Sequence, residues 1–306
     1  MRYSVANPDS GATVGDNTAT LTFADNAPAD VKIYAVNTFP GNIPVFAVEK
    51  RTSEDRAIIN GGDTELHRRY AVTARTTGPA GGGLPEIIDR PGVPGGGFRL
   101  DGVDVDGQPA AALGGGAYRL SSGDHLDPGQ EKQDRITVHY AVDPNAITAS
   151  GRDALGSCDG GNDSDPTRGL CNKVTMEDDA DGPENNDACT TAELRGSLSW
   201  EKVDAEGNLL AGSSWQIQGG YDTQNWTTVE GCTGDCRPGE CADQDPEPGR
   251  FRIDGLGLFY YWIKELNAPE GYDKFSTATC VFPSIKVGGL SARLEPRSTG
   301  GSPRSC

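Results

Sequence analysis

A lysine that loses its charge is a nucleophile, and a carboxylic acid that keeps its proton can shuttle one; burial favours both states. Residues 199–272 set such a pair on an early strand and a late one. The stretch opens with Ser199-Trp200-Glu201-Lys202-Val203-Asp204 and runs through Gly212-Ser213-Ser214-Trp215. It closes with Ile263-Lys264-Glu265-Leu266-Asn267-Ala268-Pro269-Glu270-Gly271-Tyr272. A tight turn at Ala205-Glu206-Gly207-Asn208 ends the first strand, and a Pro/Gly turn follows the last one. Lys202 and Glu265 can therefore meet inside a small sandwich.

Sulfur is the second candidate chemistry. Eight cysteines occur, all from Cys158 onward. Their even number and their setting in polar loops predict disulfides in an oxidising compartment. Cys158, Cys171 and Cys189 form one group. Cys232, Cys236 and Cys241 form another, and Cys280 on a later strand can bridge to one of them; spacing does not fix the pairing. The spacing Cys232-x3-Cys236-x4-Cys241 is loosely zinc-like, but His67, His125 and His139 all lie far upstream, so no metal site is expected. Cys306 is read as free. The acidic loops Asp159-Gly160-Gly161-Asn162-Asp163-Ser164-Asp165 and Asp178-Asp179-Ala180-Asp181-Gly182 invite calcium, yet neither has the glutamate at position 12 of an EF-hand-like loop. No cofactor is expected. The three histidines are read as standing alone, and no Gly-x-Ser-x-Gly, His-Glu-x-x-His or phosphate loop is present, so no enzyme is expected.

These residues need elements to hold them. With 306 residues, two or three domains are expected. Gly 42 and Pro 20 make about a fifth of the chain, and many short alternating segments end at Gly, Pro, Asp or Asn. That pattern predicts an all-β protein of tandem β-sandwiches rather than helices. A net charge of −18 argues against nucleic acid and anionic membranes, which both need Lys/Arg clusters. No run of 18 apolar residues occurs, so no membrane insertion is expected. Met1-Arg2-Tyr3-Ser4-Val5 already reads as a strand rather than a signal peptide, which points to a partial gene product lacking export and anchoring signals.

Residues 1–44 hold two strand-like runs, 19–23 and 31–36, too few for a sandwich of their own. A second unit, 45–193, begins with Val45-Phe46-Ala47-Val48-Glu49-Lys50. It continues through Leu66-His67-Arg68-Arg69-Tyr70-Ala71-Val72-Thr73-Ala74, Ile87-Ile88-Asp89, Phe98-Arg99-Leu100, the run 134–142 and Asn172-Lys173-Val174-Thr175. This order resembles the DUF11-like, isopeptide D2-type repeat sandwich of Gram-positive surface proteins. The third unit, 194–290, holds Trp200, Trp215, Trp226 and Trp262. Its motifs Lys202-Val203-Asp204-Ala205-Glu206-Gly207, Gly249-Arg250-Phe251-Arg252-Ile253-Asp254-Gly255-Leu256 and Lys264-Glu265-Leu266-Asn267-Ala268-Pro269-Glu270-Gly271-Tyr272 fall in the order of the SpaA-like, Cna B-type (prealbumin-like) sandwich, which it resembles. Residues 291–306 read as an irregular tail without the Leu-Pro-x-Thr-Gly sorting motif usual in such proteins, as if altered near Gly288.

The resemblances imply an intramolecular Lys–Asn amide. Such a bond needs a neutral lysine, a protonated acid and an asparagine held in line with the amine. For the second unit they imply Lys50 as nucleophile, Asp89 as acid and Asn172 as acceptor. The closed ring spans 123 residues, counted inclusively, and restricts the unfolded chain by about 4–5 kcal/mol. For the third unit they imply Lys202 and Glu265, but no asparagine lies between Tyr272 and Cys306, so the set lacks its acceptor. The expected protein is a cell-wall stalk, pilin-like subunit or adhesin at the surface, whose partners are other pilin subunits or a host or matrix ligand. The competing expectation is a carbohydrate- or ligand-binding accessory module of a secreted enzyme, which an exposed coplanar pair such as Trp215 and Trp226 would favour.

Overall fold

The computed structural model describes residues 6–14, 17–22, 43–158, 167–219, 226–231, 242–275, 277–286 and 292–294. The chain divides into two units, Met1–Asn42 and Ile43–Cys306. In the first, β1 (Ala6–Val14) and β2 (Asn17–Thr22) pair antiparallel, with Val14 opposite Asn17 at the turn end. The expected run 31–36 lies outside the described residues.

The larger unit begins with β3 (Phe46–Arg51), β4 (Ala57–Asn60), β5 (Glu65–Thr76), β6 (Gly82–Gly83), β7 (Ile87–Pro91), β8 (Phe98–Val105) and β9 (Gln108–Pro109). It continues with β10 (Ala111–Gly114), β11 (Ala117–Ser121), β12 (His125–Leu126), β13 (Glu131–Val142), β14 (Leu170–Met176), β15 (Asp187–Thr190) and β16 (Ala192–Lys202). One sheet runs β3-β5-β13-β8-β9, and the facing one runs β10-β11-β7-β14-β15. Alternation explains the layer between them: Tyr70, Val72 and Ala74 on β5 and Ile136, Val138 and Tyr140 on β13 all point into one core. Fully burying each large apolar side chain contributes roughly 1.5–3 kcal/mol. A single α-helix occurs among the described residues, α1 (Ala149–Leu155), capped by the Thr148 hydroxyl, which accepts from the Gly151 N–H at 3.1 Å. No helix among the described residues is long and apolar enough to cross a membrane.

The second sandwich adds β17 (Ser214–Gly219), β18 (Thr227–Glu230), β19 (Arg250–Gly257), β20 (Tyr261–Asn267), β21 (Thr279–Val281) and β22 (Ala292–Leu294). One sheet orders β19-β16-β22, with β4 also on β16, and the other orders β18-β17-β20-β21. Trp200 stacks on Phe251 at 5.3 Å between ring centres, and Trp215 meets both edge-on. These rings form the centre of a core with Leu198, Ile263 and Val229.

Two boundaries differ from the sequence expectation. The division expected at 193/194 falls inside β16, whose Ala192 and Leu194 belong to the first core while Leu198 and Trp200 belong to the second. One unbroken strand thus serves both sandwiches. β4 pairs parallel with its first half, from Ala57 opposite Ala192 to Asn60 opposite Arg195. The tail expected to be irregular contains β22, parallel to the second half, from Trp200 opposite Ala292 to Lys202 opposite Leu294.

Candidate functional site

The core of the first sandwich contains a charged residue that the strand period puts there. On β3, Phe46, Val48 and Lys50 face inward, whereas Glu49 and Arg51 point away and pair with each other at 3.0 Å. Lys50 is therefore buried despite its charged neighbours. On β7, Ile87 and Asp89 share the inner face, and on β14 so do Leu170, Asn172 and Val174. Val174 stands opposite Asp89 in the β7–β14 ladder, with Asn172 two residues along on the same face. Such diagonal neighbours lie within side-chain reach.

The structure brings Lys50, Asp89 and Asn172 together. Lys50 Nζ donates to Asp89 Oδ1 in a fully buried ion pair. Asn172 Nδ2 donates to Asp89 Oδ2 at 3.2 Å, and Asn172 Oδ1 has no hydrogen-bond partner. A half-turn of that amide would aim Oδ1 at Asp89, where it would accept the proton of a neutral carboxylic acid. Burial pushes the Lys50 ammonium below its ordinary pKa, against the opposing pull of the Asp89 charge and hydrogen bond. The proton that the ammonium must lose to become a neutral amine has Asp89 Oδ1 as its immediate acceptor.

Two tyrosines complete the pocket, and the sequence reading did not single them out. The Tyr70 ring lies 5.1 Å from Lys50 Nζ, and its hydroxyl donates to Leu170 O at 2.8 Å. Tyr140 donates to Gly92 O at 3.0 Å. Burial raises the pKa of both phenols, so they remain neutral donors tying β5 and β13 to the opposite sheet. Their signal was present in the alternation of Tyr70-Val72-Ala74 and Ile136-Val138-Tyr140.

The second sandwich holds Lys202 Nζ 3.0 Å from Glu265 Oε2, both side chains buried. That oxygen also accepts from the Phe275 N–H at 2.6 Å, and Glu265 Oε1 has no hydrogen-bond partner. Opposite Lys202 on β22 stands Leu294, not an asparagine. The geometry is an ion pair, and the residue facing Lys202 offers no amide.

The remaining candidates separate by location. Cys171 and Cys189 face each other across β14 and β15, and Cys158 joins them after α1. Cys280 is disulfide-bonded, whereas Cys232, Cys236 and Cys241 lie outside the described residues, as does the acidic loop 159–165. In the other acidic loop, Asp179 accepts from Val48 N at 3.2 Å and from Asn186 Nδ2 at 2.6 Å, and Asp181 pairs with Arg75. The histidines do not all stand alone. His67 and His139 are cross-strand partners with Nδ1 atoms 2.8 Å apart, and His139 Nε2 lies 2.9 Å from Asp104. Nor do Trp215 and Trp226 form an exposed pair: Trp215 is fully buried, and Trp226 is half-buried with Lys264 Nζ 3.9 Å over its ring.

Comparison with solved structures finds similarity to several pilins. They include the group B streptococcus pilus 2b backbone protein, at 14% identity over 81% of this chain and 95% of that one, with a TM-score of 0.29. The pilus backbone RrgB from Streptococcus pneumoniae is 11% identical over 83% and 100%, TM-score 0.30. The full-length major pilin SpaD from Corynebacterium diphtheriae is 14% identical over 84% and 66%, TM-score 0.27. No curated protein matches the chain by sequence. Residues 196–287 match the family model described as the SpaA prealbumin-like fold domain. That match takes in Lys202, Glu265 and the stacked Trp200, and ends before β22.

Proposed function

We propose that this chain is a structural subunit of a Gram-positive cell surface, a pilin-like stalk or adhesin module stiffened by an amide between Lys50 and Asn172. The buried Lys50–Asp89–Asn172 cluster carries the proposal, because a buried lysine beside an acid and an amide is costly unless it is used. The all-β architecture and the prealbumin-like match of residues 196–287 support the class. On this reading the first sandwich is a D2-type, DUF11-like module. Its partners are further subunits of the same kind or a host ligand, and its place is the outer face of the cell wall.

The chemistry follows from the contacts. Lys50 passes a proton to Asp89 Oδ1 and attacks Asn172 Cγ with its free electron pair. Asp89 protonates the carbonyl oxygen as the tetrahedral centre forms, then helps move a proton to Nδ2. The C–N bond to Nδ2 breaks, ammonia leaves, and a C–N bond to Lys50 Nζ remains. No oxidant or external energy source is needed.

Intact mass under reducing conditions tests this. The expected result is a mass about 17 Da below that of the sequence, the loss of one ammonia. Lys50→Ala, Asp89→Ala and Asn172→Ala should each restore the full mass, and Lys202→Ala should keep the deficit. An unshifted wild-type mass would sink the proposal.

A further inference from the structure

Three sulfur atoms, those of Cys158, Cys171 and Cys189, lie within 4.8 Å of one another. Cys189 Sγ lies within disulfide reach of both of the others. Its Cα lies 6.0 Å from that of Cys158 and 4.0 Å from that of Cys171. A sulfur atom joins only one disulfide at a time, so a cluster of three holds one bond and one thiol. Gly169 presses the loop against this group: at φ +56° it is left-handed, and a Cβ there would sit 2.8 Å from Cys189 Sγ and 2.9 Å from Cys158 Sγ. The chain is thereby built close around all three sulfurs.

We propose that this cluster is a thiol–disulfide exchange site in which Cys189 alternates between Cys171 and Cys158, presenting Cys158 to an external disulfide in only one of the two registers. The exchange balances internally. The thiolate of the odd cysteine attacks Cys189 Sγ, one S–S bond forms, the other breaks, and the proton moves from the attacking thiol to the departing one. Nothing is oxidised or reduced overall. The first bond is made by two-electron transfer to an external disulfide, which is itself reduced to two thiols.

The two registers differ in what they expose. With Cys171 bonded to Cys189, the odd thiol is Cys158, which is half-buried and sits next to the helix end. With Cys158 bonded to Cys189, the odd thiol is Cys171, 3% exposed and donating to Arg168 O at 3.0 Å. Access controls reactivity. The first register accepts a mixed disulfide and the second refuses it. This site stands on its own observations and does not depend on the Lys50–Asn172 amide.

Tryptic mapping of the full chain, acid-trapped and unreduced, decides the matter. Cleavage after Arg168 and Lys173 puts the three cysteines on separate peptides. The expected map contains both a Cys158–Cys189 and a Cys171–Cys189 linked pair. Native treatment with N-ethylmaleimide should label Cys158 and leave Cys171 unlabelled. Incubation with oxidised glutathione should add a glutathione to Cys158, and Cys171→Ser should abolish that addition by locking Cys158 to Cys189. A single linked pair, with the third cysteine joined elsewhere or inert to labelling, would overturn the proposal. So would three reduced thiols with one zinc ion in the native mass spectrum. The wild-type map needs no variant, so a substitution that fails to fold leaves the test intact.

Discussion

Among the described residues two lysines, Lys50 and Lys202, are buried against carboxylates, and their surroundings separate what each can do. Lys50 has an amide beside its acid, whereas the acid beside Lys202 is held by the Phe275 backbone instead. The second pair is a buried charge contact, with Lys202 two residues along β16 from Trp200 and Glu265 opposite Trp215, where removing one partner leaves the other charge stranded. Lys202→Met is therefore expected to cost about 3–5 kcal/mol. The double variant Lys202→Met, Glu265→Leu should recover most of that loss, because no unpaired charge remains. Chemical denaturation of the three proteins checks this, and a double variant no better than the single one would refute it. At this scale the sequence was legible in part. Glu49-Lys50-Arg51 looks like a solvated run by composition, and only the period of Phe46-Val48-Lys50 turns the lysine inward. The pairing of His67 with His139 depends on strand register, which no local pattern states.

Among the elements, long strands announced themselves and short ones did not. β5 and β13 carry twelve residues each of alternating type, enough to define both face and length. β10 and β11 are built on Ala111-Ala112-Leu113-Gly114 and Ala117-Tyr118-Arg119, with few β-branched residues to mark them. β22 is three residues long, and its pairing comes from β16 rather than from its own composition. The close fit between sandwiches is likewise invisible in sequence. The turn after β4 brings Gly61 so near Ile285 that a Cβ would sit 1.8 Å from the Ile285 carbonyl oxygen. On the β16 side, Gly196 has no room either, with Ser284 O 2.9 Å from the position of its Cβ. Gly61→Ala is expected to lower stability by about 1–3 kcal/mol through overpacking. Calorimetry should show the loss, with the Lys50-dependent mass deficit unchanged. A wild-type melting temperature would show that this contact yields freely.

For the molecule as a whole, the important connection is a strand rather than a linker. β16 is held by β4 along its first half and by β19 and β22 along its second. Where the ladder with β19 shifts register between Gly196 and Leu198, Ser197 exchanges backbone hydrogen bonds with Ser284 at 2.9 and 2.8 Å. Amide hydrogen exchange should therefore be slow continuously from Ala192 to Lys202. A fast-exchanging gap at residues 195–197 would mean that the two sandwiches open independently.

That shared strand also orders events in time. During synthesis the chain emerges from its N-terminus, so β3 to β15 are available before β16. The early sandwich leaves β4 without its parallel neighbour until residue 192 appears, and pairing then holds the new segment extended. Its continuation, still unpartnered, is already straight when β19 arrives. Completion of one sandwich thus supplies the founding strand of the next, and nucleation of the second is coupled to the finishing of the first.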